Sequence, residues 1–220
     1  MYSSIFSSLT SYELENLFNL NLSEIKNTTL LENSINFFLS IGCDKIFINT
    51  HYLHTEIESY IQKNFQDYPI SLIYEPTILG TGGGIKNIFN FSKRKKILVT
   101  NSDIFWKSQN KHDILNFIKD IYNVKNCKLF LSEEKDFLGL KSTKGDFIIK
   151  NNQISRWSVG DNLIFYSGLQ IVSLNIFKNT PSVFSMNVIW ENLIKQKNLA
   201  AEIMCSKITH IGDKKSFEEN

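Results

Sequence analysis

The fold of this chain is decided by residues 70–106, which read ISLIYEP (70–76), TILGTGGGIKNIFNF (77–91) and SKRKKILVTNSDIFW (92–106). Two apolar runs of β type, 70–74 and 96–100, predict strands, and the glycine turn between them opens into a helical pattern. Strand, helix and strand in that order predict a βαβ unit with buried parallel strands. In an open sheet of this kind ligands sit beyond the carboxyl ends of the strands. The glycine turn follows the first strand, and Asn101-Ser102-Asp103 follows the second. Both therefore fall on one rim.

Each of these two features has two readings. Thr81, Gly82, Gly83 and Gly84 present backbone N–H groups with no Cβ in the way at a helix start, which suits close approach of a flat or anionic ligand. A tight strand-to-helix turn needs glycine as well. Asp103 beyond a buried strand is a hard oxygen ligand suited to Mg²⁺ beside a phosphate, or else an Asx turn or helix cap. Together, at βαβ spacing, they favour a nucleotide-phosphate site.

Working outward, residues 29–41 carry apolar residues at helical spacing, with Gly42 as a stop. Residues 45–50 read as a buried strand, 55–65 as an amphipathic helix and 111–123 as another. Residues 3–9 are a strand candidate, followed by a Leu- and Asn-rich stretch to Ile25. Such alternation predicts a mostly parallel sheet with helices on both faces. After Asn126 the rhythm changes: 127–132, 146–150, 153–156 and 163–172 read as strands, and Asn151-Asn152 as a hairpin turn. This half is expected to lay an antiparallel lid over the rim. Gly145 and Gly168 read on their own as a hairpin turn and a strand bulge. Residues 184–196 predict a helix capped by Ser185. Segments 200–205 and 207–211 are expected to close the sheet, with a short terminal helix after Gly212.

Composition narrows the class. With 220 residues, 42% of them hydrophobic and 13% aromatic, one packed α/β domain spanning 1–220 is expected. A net charge of +2 with scattered cations argues against a nucleic-acid partner. The run 93–96 (KRKK) sits between a helix and a strand and reads as a solvated turn. Cys43, Cys127 and Cys205 share no metal-type spacing and read as reduced core residues. Neither a membrane-length apolar run nor a signal-peptide pattern is evident, so a cytoplasmic protein is expected. His51 and His54 lack a third ligand and read as packing residues.

The motif LGTGGGIKN, followed by a strand ending in NSD and a tryptophan, resembles the sugar-1-phosphate nucleotidyltransferases. The branch it is most similar to holds the N-acetylmuramate-1-phosphate uridylyltransferases and mannose-1-phosphate guanylyltransferases. The resemblance runs from about Leu30 to the C-terminus. It implies a Rossmann-like, GT-A-like nucleotidyltransferase fold. The implied activity is transfer of a nucleotidyl group from UTP or GTP to a sugar 1-phosphate, releasing pyrophosphate, with Mg²⁺ as cofactor. By the same resemblance Thr81, Gly82, Gly83, Gly84 and Asn101 bind the nucleotide. Gly145, Ser167 and Gly168 line the sugar-phosphate side, and Asp103 is the catalytic metal ligand. His210 stands where many relatives carry a second metal-binding aspartate.

The chain departs from the family in one place. Relatives follow their first strand with a Gly-x-Gly-Thr-Arg loop and downstream lysines that wrap the triphosphate. Here no Gly, Lys or Arg precedes Lys26, and Glu13 and Glu15 occupy that stretch. Carboxylates repel a triphosphate, so cations from elsewhere, Lys86 or a partner subunit's, would have to replace the missing ones. The same segment holds Leu14, Leu17, Phe18 and Leu20, which predict a short helix packed on the rim. An alternative therefore stays open: an inactive relative that binds nucleotide or sugar phosphate, or serves as a structural partner.

Overall fold

A computed structural model describes residues 28–140 and 142–212, and the backbone of 2–7 and 24–25. The expected helix at 14–20, Glu13 and Glu15, and the expected helix after Gly212 lie outside the described residues.

In chain order the main elements are β1 (Tyr2–Ser7), α1 (Leu30–Ser40), β2 (Cys43–Thr50), α2 (His54–Phe65), β3 (Ile70–Tyr74), α3 (Gly80–Ile88) and β4 (Lys96–Asn101). There follow β5 (Ile104–Phe105), α4 (Asn110–Lys119), β6 (Cys127–Glu133), β7 (Phe137–Leu138), β8 (Phe147–Lys150) and β9 (Gln153–Arg156). The chain continues with β10 (Ile164–Ser173), α5 (Met186–Lys195), β11 (Leu199–Ile203) and β12 (Ile208–His210).

Strands β3, β2, β1 and β4 lie side by side in that order and run parallel. The strand order reverses at β1, whose neighbours are β2 on one side and β4 on the other. That reversal opens a crevice at the carboxyl ends of β1 and β4. The ten-residue β10 then runs antiparallel to β4, with β6 along its other edge and β11 parallel to β6. Past a bulge at residues 167–168, β10 leaves β4 and pairs with β8, which forms a hairpin with β9. The hairpin turns at Asn151 and Asn152, whose φ values of 51° and 59° are those of a two-residue primed turn.

Alternating side chains on the strands feed two cores. Ile46, Ile48 and Leu98 face α1, α2 and α4; Phe47, Ile97 and Val99 face α3 and α5. Helix boundaries follow local chemistry. Thr29 caps α1 by accepting from the Glu32 amide at 3.0 Å, and Ser185 caps α5 by accepting from Asn187. The helix expected at 111–123 ends at Lys119 and resumes as one 3₁₀ turn, Ile121–Asn123. Lys93, Arg94 and Lys95 are exposed in a turn, as expected, with Arg94 paired to Asp44.

Two expectations are corrected. Cys43 and Cys127 are core residues, but Cys205 is exposed just past β11. Of the two segments expected to close the sheet, only β11 does so. Strand β12 leaves the main sheet and pairs antiparallel to β5 and parallel to β7 in a separate three-stranded sheet. Its register sets His210 opposite Ile104, the residue after Asp103.

Candidate functional site

Asn101, the last residue of β4, pairs with Ser7, the last residue of β1, so Asp103 stands at the mouth of the switch-point crevice. The chain beyond it is held firmly. Trp106 is buried against Phe37 and Phe38, and Asn33 brackets its backbone, donating to the Trp106 carbonyl at 2.9 Å and accepting from its N–H at 2.8 Å. The Asp103 carboxyl is buried. Its Oδ2 lies 3.3 Å from His210 Nε2, and its Oδ1 has no hydrogen-bond partner among the described residues. A buried carboxylate oxygen without a partner costs stability; Asp44 Oδ1 shares that state beside Arg94, and what sets Asp103 apart is its place at the crevice against His210.

His210 is seated as deliberately. The Ile211 amide donates to the Asp103 carbonyl at 2.7 Å, closing the loop between the two residues. A Cβ at Gly139 would overlap the His210 carbonyl, and one at Gly212 would overlap the imidazole. The Phe137 ring stands 6.1 Å from it. Neither glycine's role is visible in the sequence, because both depend on β12 leaving the main sheet.

Gly168, with φ of +85°, forms the β10 bulge, and its bare Cα faces Asn101 and Ile104. It thus joins Asn101, Asp103 and His210 in one neighbourhood. Ser167 does not present its hydroxyl to the crevice. It is fully buried and donates to the Phe130 carbonyl at 2.7 Å, satisfying the backbone at the bulge. Gly145 lies at the other end, where β8 begins, pressed between Trp157 and the Ile164 backbone. Close backbone approach, not the hairpin turn, explains it.

The glycine helix α3 starts on the same rim, and the expectation of freely offered amides is corrected there. The Gly82 and Gly83 N–H groups both donate to the Phe184 carbonyl, at 2.9 and 3.1 Å. Thr81 Oγ1 accepts from the Met186 amide at 2.9 Å, and Gly84 packs over Asn49 and Glu75. Lys86 donates to the Thr180 carbonyl at 2.6 Å, so it is committed to the same staple. The segment before α5 occupies what the sequence left open.

Sequence reasoning passed over Glu75, although a charge between a buried strand and the glycine turn was a signal. It is 1% exposed and accepts hydrogen bonds from Asn49 Nδ2 and, at 3.3 Å, from the Leu79 amide. Burial pushes its carboxyl above the ordinary 4.5, partly offset by those hydrogen bonds and by His51. His51 itself bonds the Glu75 carbonyl at 2.6 Å, and His54 bonds Thr50 and packs on Tyr74, in keeping with the packing reading. Because the folded pKa lies above the unfolded one, the native state holds the proton more tightly. Stability is then largest below about pH 4.5 on this account and declines as pH rises. Glu75→Gln should flatten that decline above pH 4.5, read from urea midpoints at several pH values. An unchanged slope would refute it.

Among the described residues no group of three or more His, Cys, Asp and Glu side chains could hold a metal. Asp103 and His210 supply two donors, which fits an ion that completes its shell with phosphate and water. No described helix is long and apolar enough to cross a membrane.

Comparison with known proteins bears on the fold. No family model matches the sequence. Over 62 residues the chain is 32% identical to the D-glycero-alpha-D-manno-heptose 1-phosphate guanylyltransferase of Aneurinibacillus thermoaerophilus, covering 28% of this chain and 27% of that relative. The matched stretch is thus about a quarter of the relative's length. Among solved structures, HddC from Yersinia pseudotuberculosis complexed with GMP-PN superposes with a TM-score of 0.75 at 19% identity, covering 100% of this chain and 97% of that one. A putative glucose-1-phosphate thymidylyltransferase from Bacillus anthracis gives 0.79 at 15% identity, covering 100% and 93%. These likenesses establish the nucleotidyltransferase-type α/β fold, the fold that the LGTGGG and NSD motifs implied.

Proposed function

We propose that this chain is a sugar-1-phosphate nucleotidyltransferase, joining the nucleotidyl group of a nucleoside triphosphate to a sugar 1-phosphate and releasing pyrophosphate. The observation that carries the reading is Asp103 at the switch-point crevice, buried with one carboxylate oxygen unpartnered and the other 3.3 Å from His210. The resemblance of the glycine helix and NSD motifs supports it, as does the guanylyltransferase match.

In the proposed reaction an oxygen of the sugar phosphate attacks the α-phosphorus in line, and the bond to the departing pyrophosphate breaks. No protein nucleophile is needed. Asp103 and His210 would hold a divalent ion, Mg²⁺ by family resemblance. Such an ion neutralises charge on the phosphates. Asn101 and the amino end of α3 would border the nucleotide, UTP or GTP, and Gly168, beside Asn101, would stand on the sugar-phosphate side, while Gly145 is taken up by packing. Ser167 acts here through the backbone it satisfies.

The test is pyrophosphate release by the full chain from each NTP, with a panel of sugar 1-phosphates and Mg²⁺ or Mn²⁺. Turnover with one NTP and sugar phosphate pair is the expected result. The absence of any cation before Lys26 favours the second reading, a binding protein without turnover. In that case nucleoside diphosphate binds as well as triphosphate and no pyrophosphate appears. No binding of any nucleotide would overturn both.

A further inference from the structure

The Asp103–His210 pair is a mixed donor set, one carboxylate oxygen and one imidazole nitrogen, and mixed sets discriminate among divalent ions. Mg²⁺ demands oxygen ligands and sheds its hydration shell reluctantly. Imidazole nitrogen adds progressively more affinity along the series from Mn²⁺ to Co²⁺ and Ni²⁺. The separation of the two donors suits a shared ion. Ligands about 2.1 Å from one metal stand roughly 3.0–3.4 Å apart, from octahedral to tetrahedral angles. Asp103 Oδ2 and His210 Nε2 are 3.3 Å apart.

The histidine's place is also built into the fold. Gly139, at φ +83°, admits the His210 carbonyl, and Gly212 leaves room for the ring. The backbone bond from Ile211 to Asp103 fixes the spacing. The second carboxylate oxygen, Asp103 Oδ1, is buried and has no hydrogen-bond partner among the described residues. That oxygen keeps its lone pairs free at the mouth of the crevice, where an ion or its bound water could take them.

We propose that His210 makes this site selective for a first-row transition ion such as Mn²⁺ or Co²⁺ over Mg²⁺. This deepens the nucleotidyltransferase reading and rests on it for taking the pair as a metal site. An aspartate at 210 would give two hard carboxylates and restore a Mg²⁺ preference. His210 then sets which metal the protein takes, while Asp103 sets whether it takes one.

The experiment uses the full chain and the metals alone. Co²⁺ and Mg²⁺ affinities are measured by calorimetry, and Mn²⁺ affinity by the loss of free-ion paramagnetic signal. The variants are His210→Asp, His210→Asn and Asp103→Asn, each checked for folding by thermal melting. In the wild-type chain Co²⁺ and Mn²⁺ should bind tighter than Mg²⁺. The Co²⁺-to-Mg²⁺ affinity ratio should fall at least tenfold in His210→Asp, with a smaller fall in His210→Asn. Asp103→Asn should lose both ions. A ratio unchanged in both His210 variants would overturn the inference and leave the proposed function standing. Failure of the wild-type chain to bind any of the three ions alone would overturn the inference, while the metal-dependent function falls only if nucleotide binding also proves independent of metal.

Discussion

Asp103→Asn should abolish metal-dependent nucleotide binding and cut any turnover by on the order of 10²–10³, while the protein melts at the same temperature or higher. The two halves of this expectation come from the same atoms. The Asp103 carboxylate is buried, one oxygen is unpartnered among the described residues, and the other faces His210. Leaving a buried polar atom unsatisfied costs about 1–3 kcal/mol, and more when it is charged. An amide of the same shape carries no charge to desolvate, so part of that cost is recovered. For a domain of this size each kcal/mol shifts the melting temperature by roughly 2–4 °C. A structural aspartate would behave in the opposite way, losing stability when neutralised. The measurements are nucleotide calorimetry with and without metal, and thermal melting of both proteins. Unchanged metal-dependent affinity in Asp103→Asn would remove the residue from the site.

Much of the architecture was legible because it is written in local chemistry. The strand at Ile70–Tyr74 has the bounds its apolar run implied, Ser185 caps the helix it precedes, and Asn151-Asn152 turns the hairpin. Gly168 is the bulge its place in a strand suggested. The reversal of strand order at β1 was not legible, since strand neighbours are chosen by non-local pairing and not by periodicity. Nor was the departure of β12 to a second small sheet, which brings a histidine 107 positions away in sequence to Asp103. The resemblance named His210; only the fold explains how it arrives. Ser167 misled because a polar residue beside a glycine looks available, and its burial depends on which strand flanks the bulge. The glycine helix misled for a related reason. Glycines admit close approach, but the sequence does not say by what.

Gly83→Ala should therefore destabilise the protein by about 3 kcal/mol, lowering its melting temperature by roughly 6–12 °C. Helix propensity predicts the reverse, since alanine in a helix interior gains about 1 kcal/mol over glycine. Packing decides the sign. A Cβ at Gly83 would overlap the Ser182 carbonyl, a backbone atom that cannot rotate away. Moving that segment also strains the bonds from the Gly82 and Gly83 amides to Phe184 and from Met186 to Thr81. Each is worth about 1 kcal/mol. The neighbouring glycines give an internal ranking. At Gly82 the obstacle is the Phe184 ring, a side chain wedged in the core; at Gly84 it is the ends of Glu75 and Asn49, 2.9 and 3.0 Å away, which can shift. The expected order of damage is Gly83, then Gly82, then Gly84, read from urea or thermal unfolding of the three alanine variants. If the run of glycine serves the nucleotide by bare backbone alone, the order collapses: all three variants keep wild-type stability and lose only nucleotide affinity. If the staple to the segment before α5 is what needs them, stability falls first, and nucleotide affinity falls only as far as the helix start is displaced.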